Sequence, residues 1–301
     1  MLKHAYLLLI HENTFVLKRL IQLLDYEYND IFIHVDKNSK FVNVEEIRRW
    51  AKKSKVVILK KYKVFWGTNS ISLAEIELLK MAVNTSKYAY YHFLSGADLP
   101  IKTQQEIHEF FDANQGKEFI HFGTKQYQQD IACRYVSYHF FSKQLGRKRD
   151  PFWRNLETYS LAIQRRLNID RTRNVSFEFY GGANWCSITE QFAQYVVCKW
   201  KKYSKAFRLT QISDELIWQT MIMDSPYKNN LYISDFEDNY KACMRYIDWK
   251  RGTPYVFRSE DLDEILHADE MFARKFDEKI DKSIVDEIYQ KLSKVTEKVG
   301  E

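Results

Sequence analysis

Two adjacent acids and three cations in this chain have the chemical types needed to move a group from a diphosphate to a hydroxyl. Such a transfer needs a base for the hydroxyl proton, positive charge for the departing diphosphate, and a pocket that aligns the attack. Asp214 and Glu215 are candidates for the base, and Arg245, Arg251 and Lys275 are candidates for the positive charge. The ordinary alternative is that both acids cap a helix and that each cation forms a salt bridge.

A single aspartate, Asp98, follows an apolar strand predicted at residues 88–94. Ligands are usually bound at the carboxyl ends of the strands in an α/β sheet, so Asp98 is a candidate ligand-binding residue. The chain also contains one Asp-x-Asp sequence, Asp261-Leu262-Asp263. We expect these acids to cap the helix that they precede rather than to bind a metal, because acids are favoured at helix N-termini.

The first 122 residues alternate between strand-like and helix-like patterns. This order predicts an α/β fold in which a mostly parallel sheet is flanked by helices. Ligands would then lie over the strand ends, near His11, Asp36, Trp66 and Asp98. The predicted strands cover residues 5–10, 31–35, 56–59, 88–94 and 118–122, and the predicted helices cover 15–24, 44–50, 71–83 and 104–111.

The remainder of the chain has fewer strand signals and several amphipathic helices. Two strands are expected within residues 176–188, on either side of Gly181 and Gly182, whose lack of side chains permits a close backbone approach. No linker rich in Pro, Gly or Ser interrupts the chain, so residues 1–301 are expected to form one large domain. Further helices are predicted at 189–200, 213–223, 261–266 and 284–299.

Residues 143–173 are strongly basic, with nine Lys or Arg against three acids, and they contain Phe152, Trp153 and Tyr159. A solvated face is the ordinary interpretation, and contact with an acceptor or an anionic membrane is the alternative. The formal net charge of +6 favours anionic partners. It is modest for 301 residues, and no nucleic-acid-binding motif is present, so nucleic acid is not an expected partner.

The cysteines and the N-terminus suggest a cytoplasmic protein. The four cysteines are scattered and include no Cys-x-x-Cys, which disfavours a zinc site or a disulfide framework and fits a reducing compartment. The apolar run Ala5–Ile10 is too short for a signal peptide or a membrane span. We therefore expect a cytoplasmic location, with peripheral contact at the inner face of the membrane.

Seven short motifs, taken in order, resemble the core-2/I-branching β-1,6-N-acetylglucosaminyltransferase family (glycosyltransferase family 14), which also contains the peptide O-xylosyltransferases. Each motif is weak alone, but their order along residues 4–280 makes the resemblance specific. The motifs are His11, Ile33-His34-Val35-Asp36-Lys37, Val64-Phe65-Trp66-Gly67, Leu94-Ser95-Gly96-Ala97-Asp98-Leu99-Pro100-Ile101-Lys102, Gly181-Gly182-Ala183-Asn184-Trp185, Ser213-Asp214-Glu215 with Trp218, and Phe272-Ala273-Arg274-Lys275-Phe276-Asp277.

The resemblance implies a GT-A fold and an inverting glycosyltransferase that uses no metal or other cofactor. It implies that Glu215 is the catalytic base and that Lys275 holds the donor diphosphate together with an arginine. Arg251 fits the family's spacing to the lysine best, and Arg245 is the alternative. The resemblance also places Ile10, His11, Asp36 and Trp66 near the uridine and ribose, Asp98 under the donor sugar or ribose, and Arg134, Asn184 and Trp185 on the acceptor side.

The resemblance further implies a UDP-sugar donor, with UDP-GlcNAc expected and UDP-xylose as the alternative. The chain has few cysteines and no recognised anchor, so it resembles a bacterial member of the family. The expected acceptor is then a glycan or a lipid-linked glycan of a bacterial surface polysaccharide. Residues 1–122 would form the nucleotide-binding half, 123–280 the acceptor and catalytic half, and 281–301 a C-terminal helix.

Overall fold

The computed structural model describes residues 2–146 and 150–299, with side chains placed as far as residue 294. These residues form a mixed α/β fold built on a six-stranded sheet and a smaller three-stranded sheet. The strands are β1 His4–Ile10, β2 Asn29–Val35, β3 Lys55–Leu59, β4 Tyr90–Ser95, β5 Asp98–Pro100, β6 Phe119–Ile120, β7 Cys186–Thr189, β8 Arg245–Ile247 and β9 Phe272–Arg274.

The large sheet has the strand order β3-β2-β1-β4-β7-β6. Strands β1 to β4 are parallel, whereas β7 runs antiparallel to its neighbours β4 and β6. Ile10 pairs with Val35, and Leu9 pairs with Ser95, so β1, β2 and β4 end at one edge of the sheet. Because β7 is antiparallel, its first residue, Cys186, lies toward that same edge.

The small sheet joins distant parts of the chain. Strand β9 pairs antiparallel with β5 and parallel with β8, which gives the order β5-β9-β8. In this register Asp98 is the partner of Arg274. The sheet therefore carries the C-terminal Arg274-Lys275 segment to the end of β4.

Helices cover both faces of the large sheet. Along β1, Tyr6 and Leu8 point into one apolar cluster with α1, α4, α11 and α12, whereas Ala5 and Leu7 point into another with α3, α9 and α10. This alternation follows from the two-residue period of a strand. The helices are α1 Phe15–Leu24, α2 Val44–Trp50, α3 Ser70–Thr85, α4 Gln104–Ala113, α5 Lys125–Asp130, α6 Cys133–Val136, α7 Ser142–Leu145, α8 Pro151–Arg166, α9 Glu190–Phe207, α10 Ile217–Met223, α11 Leu262–His267 and α12 Ser283–Val299.

The predicted α/β class and mainly parallel sheet are confirmed. Strands β1 to β4 and helices α1 to α4 lie where the sequence predicts them, with ends that differ by up to two residues. Local chemistry accounts for this agreement: Thr14 caps α1 by accepting the N–H of Leu17, and Thr103 and Glu106 form a capping box on α4. The strand predicted at 118–122 is shorter, and the helix predicted at 189–200 continues to Phe207.

The prediction of a strand before the paired glycines is wrong. Residues 176–185 contain no strand, because side chains satisfy part of their backbone. The Tyr180 N–H donates to the Thr220 hydroxyl, 3.1 Å away, and the Gly181 N–H donates to the Gln128 side chain, 2.7 Å away. The backbone here is held by α5 and α10 rather than by a neighbouring strand.

The prediction of one continuous helix over 213–223 is wrong at its start. Ile212 adopts a left-handed conformation, with φ of 50°, Ser213–Glu215 forms a 3₁₀ turn, and α10 begins only at Ile217. The Ser213 hydroxyl bonds the Ser72 hydroxyl at 2.6 Å instead of capping the backbone. The two acids therefore lie on a tight turn rather than on a helix.

Candidate active site

A cavity of about 350 Å³ lies where β1 and β4 end. Its walls come from Ile10 and His11 at the end of β1, from Ser95–Ala97 at the end of β4, and from Arg274 and Lys275 at the end of β9. This is the edge at which α/β sheets usually bind ligands. Three predicted site residues, Ile10, His11 and Lys275, thus line one cavity together with Arg274.

Two more predicted donor residues lie near this edge. Asp36 follows β2, where its carboxylate accepts the N–H groups of Asn38 and Val64, 2.8 and 3.1 Å away. Trp66 lies in the turn between β3 and α3, and 37% of its surface is exposed. The carbonyl of the next residue, Gly67, accepts the N–H of Ile212 at 3.1 Å, which ties this turn to the acidic turn.

Arg274 and Lys275 place two positive charges on the cavity wall. The Arg274 guanidinium lies 3.7 Å from the ring centre of Trp185, and its Nη1 is 2.9 Å from Asp98 Oδ1. Asp98 is buried and also accepts the N–H and hydroxyl of Ser95. Asp98 is therefore an internal support for Arg274. Among the described residues, the Lys275 ammonium forms no ion pair, although Glu12, Asp277 and Glu278 line the same cavity.

The N-terminus of α1 also borders the cavity, but its amides are already bonded. Exposed helix N-termini bind phosphates well because their N–H groups lack partners. Here the Glu278 carboxylate accepts the N–H groups of Phe15 and Val16 at 3.0 and 3.4 Å, and Thr14 accepts that of Leu17 at 3.0 Å. These three amides are therefore not free to bind an anion in this cavity.

Arg245, one of the two arginines predicted to hold the donor, is buried beneath the cleft. Its Nη1 donates to the Ser187 hydroxyl and the Cys243 carbonyl, and its Nη2 donates to the carbonyls of Phe93 and Cys186. Burial lowers its pKa, as expected for a charge removed from water. These four bonds fasten β4, β7 and β8 together and leave Arg245 without access to the cavity.

Arg251, the other predicted arginine, lies on the surface among carboxylates. It forms ion pairs with Asp248, Asp261 and Glu264, the last at 3.5 Å, and its guanidinium lies 4.2 Å from the ring centre of Tyr255. Asp261 also accepts the N–H of Arg258 ahead of α11. Holding a diphosphate would require Arg251 to exchange one or more of these partners.

Glu215 lies on the 3₁₀ turn with its carboxylate partly exposed. Its Oε2 accepts from Arg134 Nη1 at 2.8 Å and from the Tyr127 hydroxyl at 3.2 Å. The second carboxylate oxygen, Oε1, has no partner among the described residues and can accept a proton from a bound hydroxyl. The turn is held in place because the Glu215 carbonyl accepts the N–H of Gly182 at 3.0 Å.

Asp214, the other predicted acid, points inward toward Glu75 and Asn184. The carboxyl groups of Asp214 and Glu75 are buried. Burial, with a smaller contribution from Glu215, raises the pKa of Asp214 to about 7, and burial together with Asp214 raises the pKa of Glu75 well above its usual range. Neutral carboxyls are thus favoured here, while Glu215 stays in contact with solvent. The Asn184 side chain lies beside Glu75 and partly opposes this rise in its pKa.

The raised pKa of Asp214 predicts a pH-dependent loss of stability. The folded state binds this proton more tightly than the unfolded chain does, so the favourable contribution is complete below pH 4 and is lost as the pH rises to about 7. Asp214→Asn removes this loss, so its free energy of unfolding relative to the wild type should increase between pH 4 and pH 7. Urea unfolding at pH 5 and pH 7.5 measures the change, with Asp235→Asn at an exposed site as control. A difference that stays constant with pH would contradict the prediction.

Gly181 and Gly182 permit the close approach that the sequence predicts. A Cβ on Gly182 would lie 2.0 Å from the His121 carbonyl oxygen, and one on Gly181 would lie 2.2 Å from Ile131 Cδ1. Gly182 also donates to the Glu215 carbonyl, so the same close contact fixes the position of the acid. These glycines lead directly into Asn184 and Trp185.

Replacing Gly182 by alanine should therefore lower the free energy of unfolding by about 1–3 kcal/mol, because a backbone carbonyl must move. Chemical denaturation measures this loss. Gly96→Ala is the matched control, since a Cβ there would meet its nearest neighbour at 3.6 Å, an ordinary contact. Equal stability of the two variants would show that the segment relaxes freely.

Two consecutive residues, Asn184 and Trp185, contact different parts of the predicted site. The Trp185 ring contacts the Arg274 guanidinium at the cavity, and the preceding Asn184 lies beside Glu75, which is close to Asp214. Sequence reasoning missed Arg274 as a cavity residue, although it stands beside Lys275. It also missed Tyr127 and Glu75, because no local pattern shows which residues approach a distant turn.

A larger cavity, of about 500 Å³, lies elsewhere, between α5, α6 and residues 177–180. None of the predicted site residues lines it. In the described ranges, no group of three or more His, Cys, Asp or Glu is arranged to hold a metal ion, and no helix has the length and apolarity required to cross a bilayer.

The comparisons with known proteins place this chain among the glycosyltransferases. The profile of the family described as "Branch: Core-2/I-Branching enzyme" matches residues 4–267, which is most of the chain. The chain belongs to this family. The family resemblance drawn from the sequence motifs is thereby confirmed.

Curated relatives are named xylosyltransferases. The chain is 22% identical over 300 residues to xylosyltransferase 2 of Canis lupus familiaris and 23% identical over 300 residues to that of Rattus norvegicus; each alignment covers 94% of this chain and 33% of the relative. Xylosyltransferase oxt of Drosophila melanogaster is 21% identical over 286 residues, covering 89% of this chain and 31% of the relative. The chain spans about a third of the length of these relatives.

Two solved structures show weaker similarity. Apo mouse xyloside xylosyltransferase 1 aligns with 90% of this chain and 96% of its own, with 13% identity and a TM-score of 0.37. S. aureus TarS aligns with 38% of this chain and 20% of its own, with 13% identity and a TM-score of 0.26.

Proposed function

We propose that this chain is an inverting glycosyltransferase that moves a sugar from a UDP-sugar to a hydroxyl of a glycan or lipid-linked glycan. Two observations carry the proposal: Lys275 lines the cavity and forms no ion pair among the described residues, and the partly exposed carboxylate of Glu215 keeps its Oε1 without a partner among them. Family membership supports the same reaction class.

In the proposed reaction Glu215 removes the proton from the acceptor hydroxyl. The acceptor oxygen then bonds to the anomeric carbon from the face opposite the diphosphate, and the bond between that carbon and the diphosphate breaks. The electron pair leaves with UDP, and the proton stays on Glu215. Arg134 and Tyr127 orient the carboxylate through Oε2 and leave Oε1 for the hydroxyl.

Lys275 stabilises the negative charge that develops on the leaving diphosphate. Arg274 is the arginine that shares the cavity wall with Lys275, and Asp98 and Trp185 hold its guanidinium there. Arg251 remains the arginine with the best sequence spacing, although three carboxylates surround it. Side-chain cations would thus supply the charge that a divalent metal supplies in other transferases, and no metal is required.

The donor is proposed to be UDP-xylose or UDP-GlcNAc. The names of the curated relatives favour xylose, whereas the family description fits a branching N-acetylglucosaminyltransferase. We also propose that the protein is a cytoplasmic bacterial enzyme of surface polysaccharide synthesis. Its acceptor would then be lipid-linked.

A thermal-shift panel of UDP, UDP-xylose and UDP-GlcNAc, each with and without EDTA, tests the proposal. A ligand that binds only the folded state raises the melting temperature according to its affinity. We expect one UDP-sugar to stabilise the protein equally in EDTA and to release UDP in the presence of acceptor. Activity that is lost in EDTA and restored by manganese would refute metal independence, and the absence of any shift would refute a UDP-sugar donor.

A further inference from the structure

Helix α8 buries two polar side chains and exposes three large apolar ones, whereas Trp153, Leu156 and Leu161 are partly buried. Glu157 and Gln164 are buried against the protein. In contrast, the exposed fractions of Phe152, Tyr159 and Ile163 are 62%, 69% and 59%. A surface helix normally buries its apolar stripe and exposes its polar face, so this orientation needs an explanation.

The buried polar residues fix the orientation. Glu157 accepts from the His139 ring at 2.7 Å and from the Phe141 N–H at 3.1 Å. Gln164 accepts the N–H of Tyr138 at 2.7 Å and donates to the Tyr138 carbonyl at 2.8 Å. Four hydrogen bonds at two positions therefore hold α8 with its apolar side outward.

The outward residues form one continuous stripe. Phe152, Tyr159 and Ile163 are separated by seven and four residues, so they lie on one side of the helix within about 40° of each other. Leu167, which follows the helix, is 65% exposed and extends the stripe by a further turn. Phe140, which is 51% exposed, stacks on Tyr138 beside Gln164. An exposed apolar patch of this extent marks an interaction surface.

The charges around the stripe are mainly positive. Its acids are already bonded: Glu157 as described, Asp150 to the N-terminus of α8, and Asp170 to Thr172 and Arg173. Four cations on or beside the helix are exposed, namely Lys143, Arg154, Arg165 and Arg166. Arg166 lies about 40° from the stripe, whereas Arg154 and Arg165 lie on the far side of the helix and Lys143 contacts the Phe65 ring. Apolar side chains flanked by Arg and Lys favour the interface of an anionic lipid bilayer.

We propose that the α8 stripe, defined as Phe152, Tyr159, Ile163 and Leu167, binds the surface of an anionic membrane. The helix lies along the interface with its apolar side chains among the acyl chains and Arg166, beside the stripe, at the lipid phosphates. The binding is independent of sugar transfer.

Flotation with vesicles tests this proposal. We expect the full chain to float with vesicles that contain phosphatidylglycerol, and to do so at least tenfold less with phosphatidylcholine alone or at high salt. The combined variant Phe152→Ser, Tyr159→Ser and Ile163→Ser should reduce the partition coefficient at least tenfold. Arg165→Glu with Arg166→Glu should reduce binding to the anionic vesicles alone.

Matched controls use exposed residues away from α8. Phe41→Ser with Ile280→Ser removes exposed apolar groups, and Arg48→Glu with Arg49→Glu reverses exposed charges; both should leave flotation unchanged. Circular dichroism confirms that each variant is folded. The proposal is overturned if the wild type fails to float, if the serine variant floats equally well, or if light scattering instead shows a dimer that the serine variant abolishes.

Discussion

Glu215→Gln should reduce sugar transfer by about 10²–10⁴-fold while leaving UDP affinity nearly unchanged, since that is the typical contribution of a general base. The glutamine can still accept from Arg134 and Tyr127 through its carbonyl oxygen, so the turn should keep its shape. It cannot take a proton from the acceptor hydroxyl. The loss should therefore appear in kcat and not in the affinity for the nucleotide.

Steady-state kinetics and calorimetric titration with UDP measure these two quantities. Glu178→Gln is the matched control, because Glu178 is an exposed glutamate bonded to the Tyr180 hydroxyl and its carboxylate is not paired with Arg134. A large fall in UDP affinity on replacing Glu215 would assign it to the donor site. An unchanged kcat would exclude it as the base.

Lys275→Met should reduce kcat/KM by about 10²–10³-fold, the size of effect seen when a group that stabilises developing negative charge is removed. Methionine retains much of the aliphatic bulk and deletes only the ammonium. Because Glu278 and Thr14 already occupy the α1 amides, no nearby helix terminus can replace the lost charge. UDP affinity should fall as well, since the diphosphate is present in both complexes.

The same kinetic measurements on three other variants resolve the arginine. Arg274→Met should resemble Lys275→Met, whereas Arg251→Met should have a smaller effect if its surface carboxylates remain its partners. Lys250→Met, at an exposed lysine beside Arg251, is the control and should be silent. If Arg251→Met proves as damaging as Lys275→Met, Arg251 must leave its carboxylates to bind the donor.

The sequence predicts the parallel half of the fold well because its signals are local. Apolar runs of strand length and capping threonines such as Thr14 and Thr103 determine β1 to β4 and the helices between them. The candidate site could not be predicted from local signals alone. Asp98 and Arg274 become neighbours only through the pairing of β5 with β9, and this register cannot be inferred from either segment alone.

The acidic turn illustrates a second limit. Ser213-Asp214-Glu215 has the composition of a helix cap, but the hydrogen bonds of Ser72, Gly67 and Gly182 draw it into a 3₁₀ turn after a left-handed Ile212. All three partners come from elsewhere in the chain. For a similar reason the sequence does not show which residues of the basic segment 143–173 are exposed. Arg171 is buried and donates to five acceptors, whereas the apolar side of α8 is exposed. Residues 147–149 lie outside the described ranges.

The antiparallel strand β7 bears on the order in which the fold is assembled during synthesis. β1 to β4 are complete once Ser95 has been made, but β4 gains its second neighbour only when Cys186 emerges, 91 residues later (186 − 95). Until then the edge of β4 has unpaired N–H and C=O groups that another nascent chain could bind. The strand that directly follows Trp185 therefore also covers the open edge of β4.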